Sequence, residues 1–264
     1  MVQRTLQLLL LIAPLSVPML VATPAAAQTE LSADEIVDRA LDTNTIGFQS
    51  GAVSMTLLIQ DPSGETRERS LSIRGRGGDD RSAVVRVTAP AAQAGQAYLF
   101  RQNPSGEDDV YVFLPAIDSA PRRVSGNQKN GSFMGTHFTY ADLESRDIRA
   151  ATYTRLPDEA IGEFPVYVID AVPTDSSTSE AASMRLWIRQ SDFIPLRVRF
   201  FDAAGTTLKT IFTQQTDISG TTTYVRRLML SMPDGGSTTM IIEQADFDAV
   251  VDPAELTPQA LAAP

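Results

Sequence analysis

The sequence of 264 residues contains no cysteine and a single histidine, His137. Disulfides, cysteine-ligated metal sites and histidine-rich metal sites are therefore excluded, and no cysteine is available for lipid attachment. The formal net charge is −10 and the chain has no basic cluster, which argues against nucleic acid as a partner. The sequence has neither a phosphate-binding glycine loop nor a G-x-S-x-G motif. We expect no catalytic activity, no metal and no cofactor.

Residues 1–27 have the pattern of a secretory signal peptide. Arg4 supplies a positive charge, a long apolar run follows, and Ala25–Ala27 offers a small-residue cleavage site before Gln28. No later apolar run is long enough to span a bilayer. We therefore expect residues 28–264 to form a single exported domain, located in the periplasm if the cell is Gram-negative.

Short helices and many strands are predicted for the exported part. Ser32 and Glu35 form a capping box ahead of an amphipathic run, which predicts a first helix. From residue 51 to residue 247 the apolar period becomes two, and turn sequences such as DPSGE and MPDGG separate about a dozen strands. Two further short helices are predicted at residues 138–147 and 252–261, the second with Pro253 in its first turn. This pattern is typical of an antiparallel all-β domain.

Apolar residues of the first three strands recur with a period of two and predict one shared concave face. They are Val53, Met55, Leu57, Ile59, Leu71, Ile73, Val85 and Val87. A dozen strands curled into one sheet would leave a hollow, which helices or a ligand must fill. Two sheets packed face to face would avoid the hollow, and periodicity does not decide between these arrangements.

The segment KNGSFMGTHFTYADLESRD, residues 129–147, places aromatic and methionine side chains between glycines. Either it packs onto the core or it contacts an apolar ligand. A strand that is apolar on both faces, Val110–Leu114, and the pair Arg122 and Arg123 precede it, which suits both a pocket mouth and a packed corner. Ser132, His137 and Asp142 are close in sequence, but a catalytic triad is defined by geometry, so we interpret His137 as a loop residue.

The run GQAYLF…DDVYVFLPAIDSAPRRVSGNQKNGSFMGTHFTYADL resembles the LolA-like family of outer-membrane lipoprotein-sorting proteins. It is closest to a subgroup with the pattern D-x-[WY]-x-[FY]-L-P-A … R-R-[IV] … S-F-[ML]-G-[ST]-D-F-[ST]-Y-x-D-L. The runs LWIRQSDFIPLRVRFFDAAGTTLKT and DPAELTPQAL are also similar to this family, so the resemblance spans nearly the whole exported part. His137 stands where the subgroup usually has aspartate, which weakens any role based on an acid there.

The resemblance implies a strongly curved antiparallel sheet, an incomplete β-barrel of the LolA/LolB type, with helices covering a concave apolar face. It also implies a non-catalytic periplasmic binding protein or chaperone, which shelters acyl chains of lipoproteins or lipids for transport towards the outer membrane. An inner-membrane exporter and an outer-membrane acceptor are the implied partners, and we expect a monomer. A sensor of lipids or lipoproteins and a structural adaptor of a transporter are the alternatives.

On this basis the residues predicted to bind an acyl chain are those of the apolar cavity and of a lid formed by residues 131–140. They are Met55, Leu57, Ile73, Val85, Phe113, Phe133, Met134, Phe138 and Tyr140. Arg122 and Arg123 are candidates for a polar rim. Gly131 and Gly135 would permit the lid to move, and its aromatic and methionine side chains would supply adaptable apolar contacts.

Overall fold

The computed structural model describes residues 30–43, 50–78, 81–103, 108–144, 146–175 and 179–263; the predicted signal peptide, residues 1–27, lies outside them. In this part of the chain, thirteen strands form one strongly curved antiparallel sheet, which confirms the predicted fold class. The strands are β1 (Gly51–Gln60), β2 (Thr66–Arg76), β3 (Ser82–Ala89), β4 (Ala97–Arg101), β5 (Asp109–Phe113), β6 (Arg122–Val124), β7 (Ala151–Ile161), β8 (Phe164–Pro173), β9 (Ser183–Arg189), β10 (Pro195–Phe201), β11 (Thr207–Ser219), β12 (Thr222–Ser231) and β13 (Ser237–Asp246).

The strand order leaves a single opening in the sheet. Strands that are consecutive in the chain pair with each other, except β6 and β7, which are the two free edges, and β1 also pairs with β13. The sheet is therefore one strand pair short of closing on itself. The chain crosses this opening through residues 125–150, which we name the crossover segment. It contains a 3₁₀ helix at Gly126–Asn130 and the helices α2 (Tyr140–Glu144) and α3 (Arg146–Arg149).

Irregular pairing helps the sheet to curl. The register shifts in six of the strand pairs, for example between Ser54 and Met55 where β1 meets β13. Such bulges bend the strand and increase its local twist, so a sheet with many of them curls instead of staying flat. The curl brings the apolar faces of distant strands towards one another.

The concave face carries the main core. Seven of the eight residues predicted to share this face lie in or against it, and they are Val53, Met55, Leu57, Leu71, Ile73, Val85 and Val87. The eighth, Ile59, is also buried. At the other end of the sheet a helix, α1 (Ala33–Asp42), adds Ile36 and Val37 to the same core.

The first helix begins as predicted. The Ser32 hydroxyl accepts a hydrogen bond from the Glu35 amide, and the Glu35 carboxylate accepts one from the Ser32 amide at 2.9 Å, which completes the capping box. Arg155 of β7 donates a hydrogen bond to the Leu31 carbonyl and so ties the helix entry to the sheet edge. Of the helices in the described ranges, none is long and apolar enough to cross a membrane.

The C-terminal segment covers the opposite, convex face. A second cluster there contains Val84, Ala97, Leu99, Val251, Leu256 and Leu261. Instead of the single helix predicted at residues 252–261, two 3₁₀ helices, Pro253–Leu256 and Gln259–Ala262, are separated by the extended Thr257. Arg74 pairs with Glu255 at 2.6 Å, while Arg86 and Arg101 donate hydrogen bonds to carbonyls of the segment. This segment therefore does not contribute to the cover of the concave face.

Shortening a side chain that is buried in the concave core should lower the free energy of unfolding much more than shortening an exposed one. We expect Ile169→Ala, at a fully buried position of β8, to lower the free energy of unfolding by about 3 kcal/mol in urea titrations. Ile218→Ala removes the same atoms from a side chain that is 67% exposed and should change it by less than about 0.5 kcal/mol. Equal effects of the two substitutions would contradict this description of the core.

Candidate ligand-binding site

The middle of the crossover segment is a small hairpin. The Phe133 amide donates to the Phe138 carbonyl at 2.8 Å, and the Thr136 amide donates to the Phe133 carbonyl at 2.9 Å. Met134 and Gly135, at its tip, have φ angles of +54° and +66°. Two successive positive φ values are typical of a type I′ turn, and a methionine there is disfavoured unless its surroundings hold it. The tip is therefore fixed by packing.

Apolar contacts turn the hairpin towards the concave face. Phe133, Met134 and Phe138 are only 3%, 7% and 0% exposed and belong to the main core. The Phe133 ring packs edge-on against Tyr98 and Phe100 of β4, with centroid distances of 4.9 and 5.7 Å. Edge-to-face pairs of this kind add to the stabilisation from buried area alone. The hairpin therefore packs as part of the core.

One ion pair anchors the crossover segment to the sheet, and a second one stabilises the segment internally. Lys209 of β11 reaches Asp142 of α2 at 2.7 Å, and both side chains are buried. Within the segment, the buried Lys129 ammonium lies 2.9 Å from the Glu144 carboxylate. The segment is thus held by polar groups as well as by apolar packing.

His137 attaches the hairpin to a third strand. Its amide donates to the Thr238 hydroxyl of β13 at 3.0 Å, and its ring Nδ1 lies 2.8 Å from the same oxygen. The Ser132 hydroxyl donates to the Thr136 carbonyl, and Asp142 binds Lys209. The structure therefore does not assemble Ser132, His137 and Asp142 into a triad.

The structure brings together eight of the nine residues predicted for the apolar site. Met55, Leu57, Ile73, Val85, Phe133, Met134, Phe138 and Tyr140 all lie in or against the main core. Phe113 does not, because in β5 the alternation places Val110 and Val112 on the concave face and Phe113 with the second cluster on the convex face. We therefore correct its assignment to the cavity.

The two candidate rim arginines point to opposite sides of β6. Arg122 is in phase with the buried Val124 of the concave face, so Arg123 belongs to the convex side. Arg122 pairs loosely with Asp118 at 3.5 Å, and Arg123 pairs with Asp109 at 2.5 Å. Of this pair, only Arg122 is placed to face a ligand at the concave surface.

The surroundings of the hairpin favour neutral tyrosine side chains. Burial raises the pKa of Tyr98, and the neighbouring Tyr140 raises it further, while Arg69 and Arg122 act in the opposite direction. Burial also raises the pKa of Tyr140. Arg69 was not among the predicted site residues, although it is in phase with Leu71 and Ile73 along β2. That phase was the signal that could have identified it.

Buried charged groups were also missed by sequence reasoning. Lys209 shares a strand face with the buried Ile211, so its phase could have indicated burial. Lys129 follows polar residues in the run GNQKN and reads as solvent-exposed. Its burial depends on Glu144 of α2, which no local pattern connects to it.

The sequence matches the profile of one protein family. The profile of a family described as “uncharacterized protein” matches residues 79–263. The chain belongs to this family. None of the curated proteins searched is a significant match to the sequence.

Solved structures share the fold. A domain from Vibrio parahaemolyticus, classed as an outer membrane lipoprotein-sorting protein, is 23% identical with a TM-score of 0.77, covering 87% of this chain and 99% of its own. A DUF1329 family protein from Desulfovibrio piger is 20% identical with a TM-score of 0.76, covering 87% and 99%. A LolA superfamily protein from Nitrosomonas europaea is 20% identical with a TM-score of 0.65, covering 86% and 98%. The fold of this chain is the LolA-like fold, as the sequence resemblance implied.

The ion pair between Lys209 and Asp142 should be sensitive to loss of one partner. We expect Lys209→Met to lower the free energy of unfolding by about 3 kcal/mol, because it leaves a buried carboxylate without its cation. Adding Asp142→Leu should recover part of this loss by removing the uncompensated charge. A double variant less stable than Lys209→Met would show that the carboxylate contributes mainly through its hydrogen bond from the Thr139 amide.

Alkaline pH should destabilise the protein through its buried tyrosines. Burial raises the pKa of Tyr153 to about 12 and raises that of Tyr98 as well, whereas the unfolded chain titrates near 10. The unfolded state therefore loses these protons first, so stability is complete below pH 10 and falls above it. Urea titrations between pH 8 and pH 11.5 should show this fall, and Tyr98→Phe should make it shallower. Identical slopes in both proteins would contradict the assignment.

Proposed function

We propose that this protein is a non-catalytic periplasmic carrier that shelters an acyl chain of a lipid or lipoprotein against the concave face of its sheet. Delivery towards an outer-membrane acceptor, with an inner-membrane exporter as the source, is part of this proposal. It is supported by the LolA-like fold and by the lipoprotein-sorting class of the Vibrio structure. The proposed contact residues are the eight that lie together in the main core.

The observation that carries the proposal is the position of the crossover segment. The sheet alone supplies a continuous apolar concave face, and the segment that covers it joins the two unpaired edges, β6 and β7. Displacing the segment therefore breaks no strand pair of the described sheet, unless the short β6 moves with it and separates from β5. A ligand that replaces Phe133, Met134 and Phe138 would meet the same apolar surface that these side chains now cover.

The energetics of such an exchange are favourable for a carrier. An acyl chain gains about 0.8 kcal/mol for each CH₂ group removed from water. The hairpin contributes comparable apolar contacts, so chain and hairpin compete for one surface and the net affinity stays moderate. Moderate affinity allows a carrier to release its ligand at the destination. Lys209, Asp142 and His137 set how readily the cover leaves.

A structural adaptor is the second candidate function, and a specific observation favours it. The aromatic tip of the hairpin is already packed in the core, with Phe138 fully buried and Met134 held at a positive φ angle. An interior filled in this way serves a domain that presents its outer surface to a transporter. The two functions differ in whether the crossover segment ever leaves the concave face.

Loosening the crossover segment separates these functions. In a carrier, the apparent dissociation constant equals the intrinsic one divided by the fraction of molecules that are open. Lys209→Met weakens the closed state, so it should tighten binding of the fluorescent fatty acid cis-parinaric acid by about tenfold, as measured by fluorescence titration. Arg185→Met is the control, since it breaks a more exposed ion pair with Asp170 at 2.6 Å, which joins β8 and β9 and not the crossover segment, so it should leave the affinity unchanged.

The adaptor function predicts a different result. Neither the wild-type protein nor Lys209→Met would bind the probe, and Lys209→Met would only lower the melting temperature. Native mass spectrometry of the protein purified from membranes adds a direct reading, because a carrier should retain lipid that an adaptor lacks. Absence of probe binding together with absence of co-purified lipid would overturn the carrier proposal.

A further inference from the structure

Two arginines on the concave side, Arg69 and Arg81, have no ion-pair partner among the described residues, and of these two only Arg81 has a fully buried Nε without an acceptor. Arg81 directly precedes β3 and is in phase with Ala83 and Val85 of the main core. Its side chain is half-buried, its Nε is fully buried without a hydrogen-bond acceptor, and its guanidinium forms no ion pair with any described residue. A buried charged donor without an acceptor is destabilising, so its retention in a sheet of this kind requires an explanation.

Other arginines of the described sheet show how such groups are normally satisfied. Arg185 and Arg189 form two-point pairs with Asp170 and Asp192. Arg197 and Arg199 also have a buried Nε without an acceptor, but both guanidinium groups lie over the Trp187 ring, at 5.1 and 5.6 Å. Arg81 has neither a two-point carboxylate partner nor an aromatic ring over its guanidinium among the described contacts.

Arg81 faces a small cavity that is also lined by Arg149. The cavity has a volume of about 40 Å³ and lies between the start of β3, the end of β4 and the helices α2 and α3, with Phe100 and Leu143 on its apolar side. Arg149, at the end of α3, forms no ion pair in the described structure. Burial and the repulsion of Arg149 lower the pKa of Arg81, and the carboxylates of Asp42 and Asp108 offset this in part.

The other charged groups of the cavity are engaged. Asp109 pairs with Arg123, and Glu144 pairs with Lys129. Asp108 accepts a hydrogen bond from the Asn103 amide. Arg101 donates to the Leu256 carbonyl on the convex side of the sheet. Arg81 and Arg149 are therefore the two cations of the cavity whose guanidinium groups have no described hydrogen-bond acceptor, and Asp108 offsets part of the positive charge of Arg81.

We propose that Arg81, with Arg149, binds the anionic headgroup, a carboxylate or a phosphate, of an amphiphile whose chain lies along the concave face. The cavity is too small for an acyl chain, so only part of a headgroup would enter it. The planar guanidinium matches the two oxygens of such a group. Phe100 and Leu143 belong to the main core, so the headgroup site is continuous with the surface proposed for the acyl chain. This inference rests on the proposed carrier function and specifies its substrate class.

The test compares a charged probe with a neutral one. At pH 8 the wild-type protein should bind cis-parinaric acid about tenfold more tightly than its methyl ester, because a charged hydrogen-bonded pair is worth at least this factor. In Arg81→Gln the ratio of the two affinities should fall to near one. Arg185→Gln is the control, since it removes a guanidinium that pairs with Asp170 on β8 and β9 and does not line the cavity, so it should preserve the ratio.

A second variant keeps the test valid if Arg81→Gln folds poorly. Arg149 is exposed, so Arg149→Gln should fold and should reduce the ratio several-fold. A ratio near one in the wild-type protein, or a ratio that survives in both Arg81→Gln and Arg149→Gln, would overturn the headgroup site while leaving the carrier function intact. Because the ratio is taken within each variant, general loss of stability does not mimic the expected result.

Inorganic phosphate distinguishes a lipid headgroup from a free anion. If neither probe binds to any variant, the carrier function fails, and the anion site is then decided by thermal denaturation in phosphate against chloride at equal ionic strength. A rise in melting temperature that is lost in Arg81→Gln supports a site for a free anion. No rise overturns the site altogether. Where the acid probe binds, phosphate that competes with the acid but not with the ester confirms that both use Arg81.

Discussion

A curved sheet that stops one strand pair short of closure must cover its own opening. The edges of β6 and β7 carry backbone groups that no neighbouring strand satisfies, and between them the concave apolar face would meet water. Burial of apolar surface drives the cover into place, and only the crossover segment joins the two edges. The position of the aromatic hairpin, the buried charges and the candidate site all follow from this opening.

Apolar packing alone would leave the cover free to slide, since the hydrophobic effect has no direction. The crossover segment instead contacts three separated strands at defined atoms: Phe133 at β4, His137 at β13 and Asp142 at β11. Buried ion pairs add little net stability compared with well-packed apolar residues, but they define a position. We interpret Lys209 and Asp142 in this way, as groups that select one arrangement of the segment on a surface that would accept several.

The elements that could be predicted from the sequence are those with a strong local signal. The capping box of Ser32 and Glu35 and the period of two in β1 and β2 lie where they were expected. The three-residue β6 is too short to show a period, and Thr257 interrupts the helix expected near the C-terminus. Phe113 was misplaced because a strand that is apolar on both sides does not reveal which side is concave.

The candidate site was predictable only in its apolar part. Phe133, Met134 and Phe138 stand out among glycines, and alternation identifies the strand residues beneath them. Arg81 follows the turn sequence GGDD and reads as a solvated residue at a strand start. Its burial results from α2 and α3, which are more than fifty residues away along the chain, and no local pattern reports such a contact.

The pairing of β1 with β13 has a consequence for the order in which the molecule folds. The strands β1 to β6 and β7 to β13 are two meanders of local hairpins, and the β1–β13 ladder joins them in the middle of the sheet. Local hairpins form early, whereas this ladder must close a loop of most of the chain and so forms late. The crossover segment contacts β4 in the first meander and β11 and β13 in the second. We therefore expect it to reach its final position only after the two halves have joined, with the apolar interior accessible until that step.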